Sequence, residues 1–155
     1  MIAETDRMLN AAQELATSGL YVFPAEPGGK RPLIRNWPMM ATVDQGQIRA
    51  WWARWPDANI AVICGKKSGI FVIDIDGEKG KESLKLLESE YEQLPSTRES
   101  RTGSGGRHLF FKYPNDREVR NKQSFMPGID VRGEGGYVIV PPSILKPGQF
   151  YSWEN

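Results

Sequence analysis

The chain has 155 residues, 39% of them hydrophobic and 25% charged, enough for one globular domain with a substantial core and too few for a second independent one. Its 20 basic and 19 acidic residues give a formal charge of +1, so no global field announces a polyanionic partner, and any such partner must be met by a local patch. One cysteine, Cys64, excludes an internal disulfide and a cysteine-rich zinc site, and one histidine, His108, closes mechanisms that need several. No apolar run approaches the roughly 20 residues that span a bilayer, and the start lacks a basic-then-apolar export signal. A cytoplasmic protein is expected.

In chain order, Met8, Leu9, Ala12, Leu15 and Ala16 recur at helical spacing and Gly19 supplies a stop, which predicts an opening amphipathic helix. Leu20 to Phe23 reads as a strand. Residues 24–38, with Gly28, Gly29, Lys30 and Pro32, carry too many breakers for regular structure and predict an ordered loop ending near Trp37. Thr42-Val-Asp-Gln45 has the form of a capping box. Ile48, Trp51, Trp52 and Trp55 then give the next helix a large apolar face, which reads as core packing rather than a base-stacking surface. Residues 59–64 and 70–75 form two apolar strands joined by Gly65-Lys-Lys-Ser-Gly69, with Cys64 filling the first. A helix over residues 79–92 turns Leu84, Leu87 and Tyr91 inward and is stopped by Pro95. The remainder alternates glycine turns with short strands at 97–101, 108–112, 129–132, 137–140 and 149–153. This order predicts an α+β architecture of sheets and helices, with two lobes around one cleft.

The strongest chemical signal is Asp74-Ile-Asp76 at the end of the apolar run beginning at Ile70. Residues i and i+2 of a strand share a face, so the two carboxylates stand side by side and suit one or two divalent cations. Without a cation, two adjacent buried acids disfavour joint ionisation, so removing either is expected to leave the melting temperature unchanged or higher. Asp130, in Gly128-Ile-Asp-Val-Arg-Gly133, lies on another short strand pinned by glycines and could converge on the pair. Ions of the magnesium type prefer such oxygens and keep positions open for substrate phosphates. Ser104-Gly-Gly-Arg-His108 opens a strand with glycines whose N–H groups can approach phosphate, and Arg107 and His108 end it as donors suited to a triphosphate. Lys30, Ser104 and Arg132 are further candidates for phosphate or template contacts, Arg132 because alternation puts it on the face of Asp130. Acids dominate residues 74–92 and bases follow from Arg98 to Arg132, a segregation suited to a polyanionic substrate.

Taken together, Asp-x-Asp on a strand, Ser-Gly-Gly-x-His entering a strand, and an apolar-Asp followed by Arg-Gly-x-Gly-Gly-Tyr-Val-x-x-Pro-Pro-Ser resemble the N-terminal primase-polymerase domain of bifunctional replication proteins, in the archaeo-eukaryotic primase superfamily. The resemblance runs over nearly the whole chain. It implies an RRM-like catalytic sheet with a smaller packed α/β subdomain, and template-directed nucleotidyl transfer with Mg²⁺ or Mn²⁺ in a two-metal site. It matches Asp74 and Asp76 to the first metal-binding motif, His108 to the nucleotide-binding histidine and Asp130 to the third motif's acid. The implied partners are nucleoside triphosphates and single-stranded or primer-template DNA, in a plasmid, phage or integrated element, with a helicase domain in a longer protein of which residues 1–155 are one domain. Two rivals remain. Val72-Ile-Asp-Ile-Asp-Gly77 also resembles the opening motif of haloacid-dehalogenase-like phosphotransferases, with Asp74 as nucleophile, although Glu78 replaces the usual threonine. The other is a nucleotide- or DNA-binding module without turnover.

Overall fold

A computed structural model describes residues 6–154. The start of the chain read above for an export signal lies largely outside the described residues. The elements are α1 (Arg7–Thr17), β1 (Val22–Ala25), α2 (Trp37–Met40), α3 (Gln45–Arg54), β2 (Asn59–Ile63), β3 (Ile70–Ile75), α4 (Gly77–Glu90), β4 (Arg98–Arg101), β5 (Arg107–Lys112), β6 (Lys122–Met126), β7 (Ile129–Arg132), β8 (Tyr137–Val140) and β9 (Ser152–Trp153). The strands form a three-stranded sheet in the order β1-β2-β8 and a six-stranded sheet in the order β6-β7-β3-β5-β4-β9, with antiparallel pairing in both. The fold class is α+β: a larger sheet with α4 on one face, and a smaller α/β layer built from the other sheet with α1 and α3.

Alternation along β3 explains how the layers meet. Val72, opposite Phe110, points into the main core, which it shares with α1, α3 and the smaller sheet. Ile75, Leu109 and Ile129 point the other way, into a second core under α4 that includes Leu84. The face that is apolar at Val72 therefore becomes polar one pleat later, at Asp74, where the covering layer ends and a cleft opens.

The structure departs from the sequence pattern at several places. Pro24 lies inside β1, opposite Ile60, because β1 is an edge strand where a missing N–H is harmless; its carbonyl accepts from the Leu33 N–H at 3.0 Å. The N-cap of α3 is Asp44, not Thr42: the Asp44 carboxylate accepts from the Gln47 N–H at 2.8 Å, and the Thr42 hydroxyl accepts from the Asp44 N–H. Trp51 and Trp52 are buried as read. The strands β2 and β3 do not form a hairpin; the Gly65–Gly69 turn keeps a single bridge, Gly65 to Ile70, and carries the chain from one sheet to the other. The helix α4 begins at Gly77 and ends at Glu90, before Pro95, and Tyr91 is 76% exposed rather than inward because the helix has already ended there. Cys64 is buried just past β2, where burial pushes its thiol up to about 12. It is a packing residue. Among the described residues, no helix is long and apolar enough to cross a membrane.

Candidate active site

The pairing register places Asp130, Asp74, His108 and Ser100 in one row across β7, β3, β5 and β4. Directly opposed residues share a face, so acids separated by 56 positions in the chain become neighbours. The Asp74 carboxylate lies 3.4 Å from His108 Nε2 and 3.9 Å from an Arg132 guanidinium nitrogen. Arg132 also donates to Asp130 at 2.8 Å, and the Ser124 N–H donates to the other Asp130 oxygen at 2.7 Å. Ser124 makes that bond from a left-handed backbone (φ 51°) within an irregularity of β6, an extra stretch of edge strand that aims a backbone donor at the acid.

Asp76 follows the strand as the N-cap of α4 and is exposed. Its N–H donates to the Gly128 carbonyl at 2.8 Å and its own carbonyl accepts from the Gly80 N–H at 3.0 Å. Its carboxylate lies over Gly106, where a Cβ would come within 2.6 Å of it. Gly106 therefore gives the second acid its space, while the turn closes on itself through the Thr102 hydroxyl, which accepts from the Gly106 N–H at 2.8 Å.

The two acids of the pair differ electrostatically. At Asp74, burial acts to raise the carboxyl, but the hydrogen bond and charge of His108, with Arg132 and Lys30, outweigh it and leave it below the usual range. Although the residue is exposed overall, partial burial of its carboxyl, then the charge of Asp74, pushes Asp76 above that range. For Asp74, the depressed folded value adds stability above its ordinary value, and this is lost as pH falls through the depressed one. For Asp76 the sign reverses: ionisation costs the folded state, fully so only above its raised value. Only the second acid therefore fits the expectation of relief on removal. Asp76→Asn is expected to raise the melting temperature at about pH 7 and leave it unchanged at about pH 3, where both states are protonated, and Asp74→Asn to lower it at about pH 7. Thermal melts at both pH values check this, and a neutral-pH loss of stability in Asp76→Asn would contradict it.

Facing Asp74 and His108 across a cleft of about 230 Å³ is the smaller sheet, with Tyr137, Val138 and Ile139 of β8; Asp76 and Asp130 do not line this space. Trp37 and Tyr137 pack edge to face at 4.8 Å, both against Phe23. The Tyr137 hydroxyl donates to the Lys30 carbonyl at 2.8 Å, which holds the Lys30 loop at the cleft. Asp74, His108, Lys30 and Arg132 all line this space. Asn121, Tyr137 and Tyr151 do too and went unread in the sequence, because packing of one sheet against the other brings them there without local pattern. The Tyr151 ring centroid lies 6.2 Å from that of His108, and burial followed by the charges of Asp74 and Asp76 pushes its phenol well up.

Two sequence candidates stand elsewhere. Arg107 adjoins His108 in β5 and so points to the opposite face, where it forms a two-pronged pair with Glu99 at 2.9 and 3.0 Å. It does not reach the cleft. Ser104 is exposed in the 102–106 turn, 3.4 Å from the Thr102 hydroxyl.

The donor set at Asp74 and Asp76 suits a hard divalent ion: one carboxylate is held ionised, and the other is raised by burial and then by its neighbour's charge, the second of which a cation relieves. Asp130 here is engaged by Arg132 and Ser124, and among the described residues no three acid, histidine or cysteine side chains are gathered closely enough to hold a metal.

The mixed α+β fold thus sets Asp130, Asp74 and His108 in one register row, with Asp76 just beyond the end of the strand. The sequence matches the family described as bifunctional DNA primase/polymerase, N-terminal, over residues 12–155, and the chain belongs to that family. No curated protein was matched in a comparison of sequences.

Proposed function

We propose that this chain performs template-directed nucleotidyl transfer, extending or making DNA primers from nucleoside triphosphates, with Mg²⁺ or Mn²⁺ held by Asp74 and Asp76 and with Asp130 as the third acid. The family supports primase/polymerase chemistry in general terms. The observation that carries the reading is the single row Asp130–Asp74–His108, of which Asp74 and His108 line a cleft whose other contributors include Lys30 and Arg132. When bound, the divalent ions supply charge neutralisation on the triphosphate and a more acidic attacking hydroxyl.

The chain's own residues supply the rest. His108 presents Nε2 beside Asp74, and Lys30, in the loop after β1, also lines the cleft, so a triphosphate lying there would meet a donor from each layer. Arg132 already bridges two carboxylates and can neutralise charge close to them. Bulky, largely apolar groups on the facing wall, Trp37 and Tyr137, suit the sugar and base rather than phosphate. A plasmid, phage or integrated-element setting in the cytoplasm, with an attached helicase domain, is supported by the sequence resemblance alone. The haloacid-dehalogenase-like reading gains nothing from the family assignment.

The test is extension of a labelled primer on a single-stranded template by the wild-type chain with dNTPs and either Mg²⁺ or Mn²⁺. Extension under one of the metals is expected. No extension under both, with dNTP still bound, would assign the chain to the non-catalytic binding modules instead. His108→Ala is expected to weaken dNTP binding about tenfold, one charge-assisted hydrogen bond's worth, and unchanged affinity by calorimetry would remove the histidine from the phosphate site.

A further inference from the structure

Two buried polar atoms have no hydrogen-bond partner among the described residues: the Ser100 hydroxyl and His108 Nδ1. Their residues are directly opposed in the β4–β5 register and so face the same side. Ser100 is 0% exposed and His108 5%. Unpaired, each would carry the full desolvation cost of a buried polar group, and pairing one with the other removes both costs at once.

With the imidazole neutral, the chemistry fixes the direction of that pairing. On its outer side, His108 Nε2 faces an Asp74 oxygen at 3.4 Å, and an ionised carboxylate only accepts. An imidazole nitrogen facing an acceptor must carry the proton, which leaves Nδ1 of the neutral ring as an acceptor. A hydroxyl can supply what Nδ1 then needs. We infer that Ser100 is a positioning residue for His108: its O–H donates through one buried water to Nδ1, and holds the ring as the Nε2–H tautomer with that N–H directed at Asp74 and the cleft. Phe110 and Tyr151, with ring centroids 6.4 and 6.2 Å from that of His108, flank the ring and limit its other orientations. On the function proposed above, the same N–H is the one offered to the triphosphate, and this consequence alone rests on that reading.

Because the chain has a single histidine, a ¹⁵N imidazole spectrum reports His108 alone. At about pH 9, above the ordinary histidine range, the wild-type protein is expected to carry its proton on Nε2 with a hydrogen-bonded Nδ1. A wild-type proton on Nδ1 overturns the inference, and this measurement needs no variant. In Ser100→Ala the hydrogen-bond shift at Nδ1 is expected to vanish and Nδ1–H tautomer to appear, while dATP affinity falls about fivefold. If Ser100 serves packing only, alanine leaves the Nδ1 signal as it was, which also overturns it. Unchanged dATP affinity beside an altered tautomer overturns the link to nucleotide binding. The spectrum does not depend on turnover, so a failed primer extension beside the expected tautomer would sink the polymerase reading and leave Ser100 in place.

Discussion

Asp74→Ala is expected to reduce primer extension by roughly a thousandfold, the scale seen when a preorganised charge is removed from a site of developing charge. Asp74 is the middle member of the row: it meets Asp130 on one side and His108 on the other, and it is the acid held ionised below the usual range. On the function proposed above, its removal takes away a ligand for the divalent ion, together with the acceptor that faces His108 Nε2. The fold should survive, since Arg132 keeps its 2.8 Å bond to Asp130. Stability should nevertheless fall by roughly 1–3 kcal/mol, because a favourable, largely buried acceptor of charged donors is lost. The measurement pairs extension rates with thermal melts. Extension within threefold of wild type in a folded variant would contradict the assignment.

Gly128→Ala is expected to be the most destabilising single-methyl change near the site. Gly128 has a left-handed backbone (φ 74°), and a Cβ there would stand 2.2 Å from the Gly80 nitrogen, 2.6 Å from its Cα and 2.7 Å from the Asp76 carbonyl oxygen. All three neighbours are backbone, so none can rotate away. Gly80 meets the same restriction from its own side, with a Cβ falling 2.7 Å from the Gly128 oxygen. Two glycines thus let the first turn of α4 touch the β6–β7 turn, and that contact carries the bond from the Asp76 N–H to the Gly128 carbonyl. A strained backbone and a forced shift of a helix together should cost about 4 kcal/mol or more, or a fall in melting temperature of roughly 10 °C. Any folded remainder should also lose activity, since Asp76 moves with the helix. A melting temperature within about 1 °C of wild type would show that the contact is loose.

Much of this was legible in the sequence wherever local pattern and tertiary role coincide. The apolar run before Asp74, the glycine brackets around Ile129–Arg132 and the helical spacing of Ile48, Trp51 and Trp52 each reflect one buried face, and each element formed where it was read. The strand β6 was missed because Lys122–Met126 lies on a sheet edge and lacks alternation, yet it supplies the Ser124 N–H that holds Asp130. Arg107 was placed by its proximity in sequence to His108, whereas a period of two separates immediate neighbours onto opposite faces. Pairing of β2 with β8 rather than β3 is a long-range choice with no local mark, and so were the residues that pairing sets opposite the acids.

That division of labour has a consequence for altering the protein. The reactive carboxylates are anchored in one sheet, while much of the surface they look onto, Trp37, Tyr137 and the backbone-tethered Lys30, belongs to the other layer. On the function proposed above, preference for one sugar or base over another should therefore be retunable by editing that opposing layer, with the acids left undisturbed on their own scaffold.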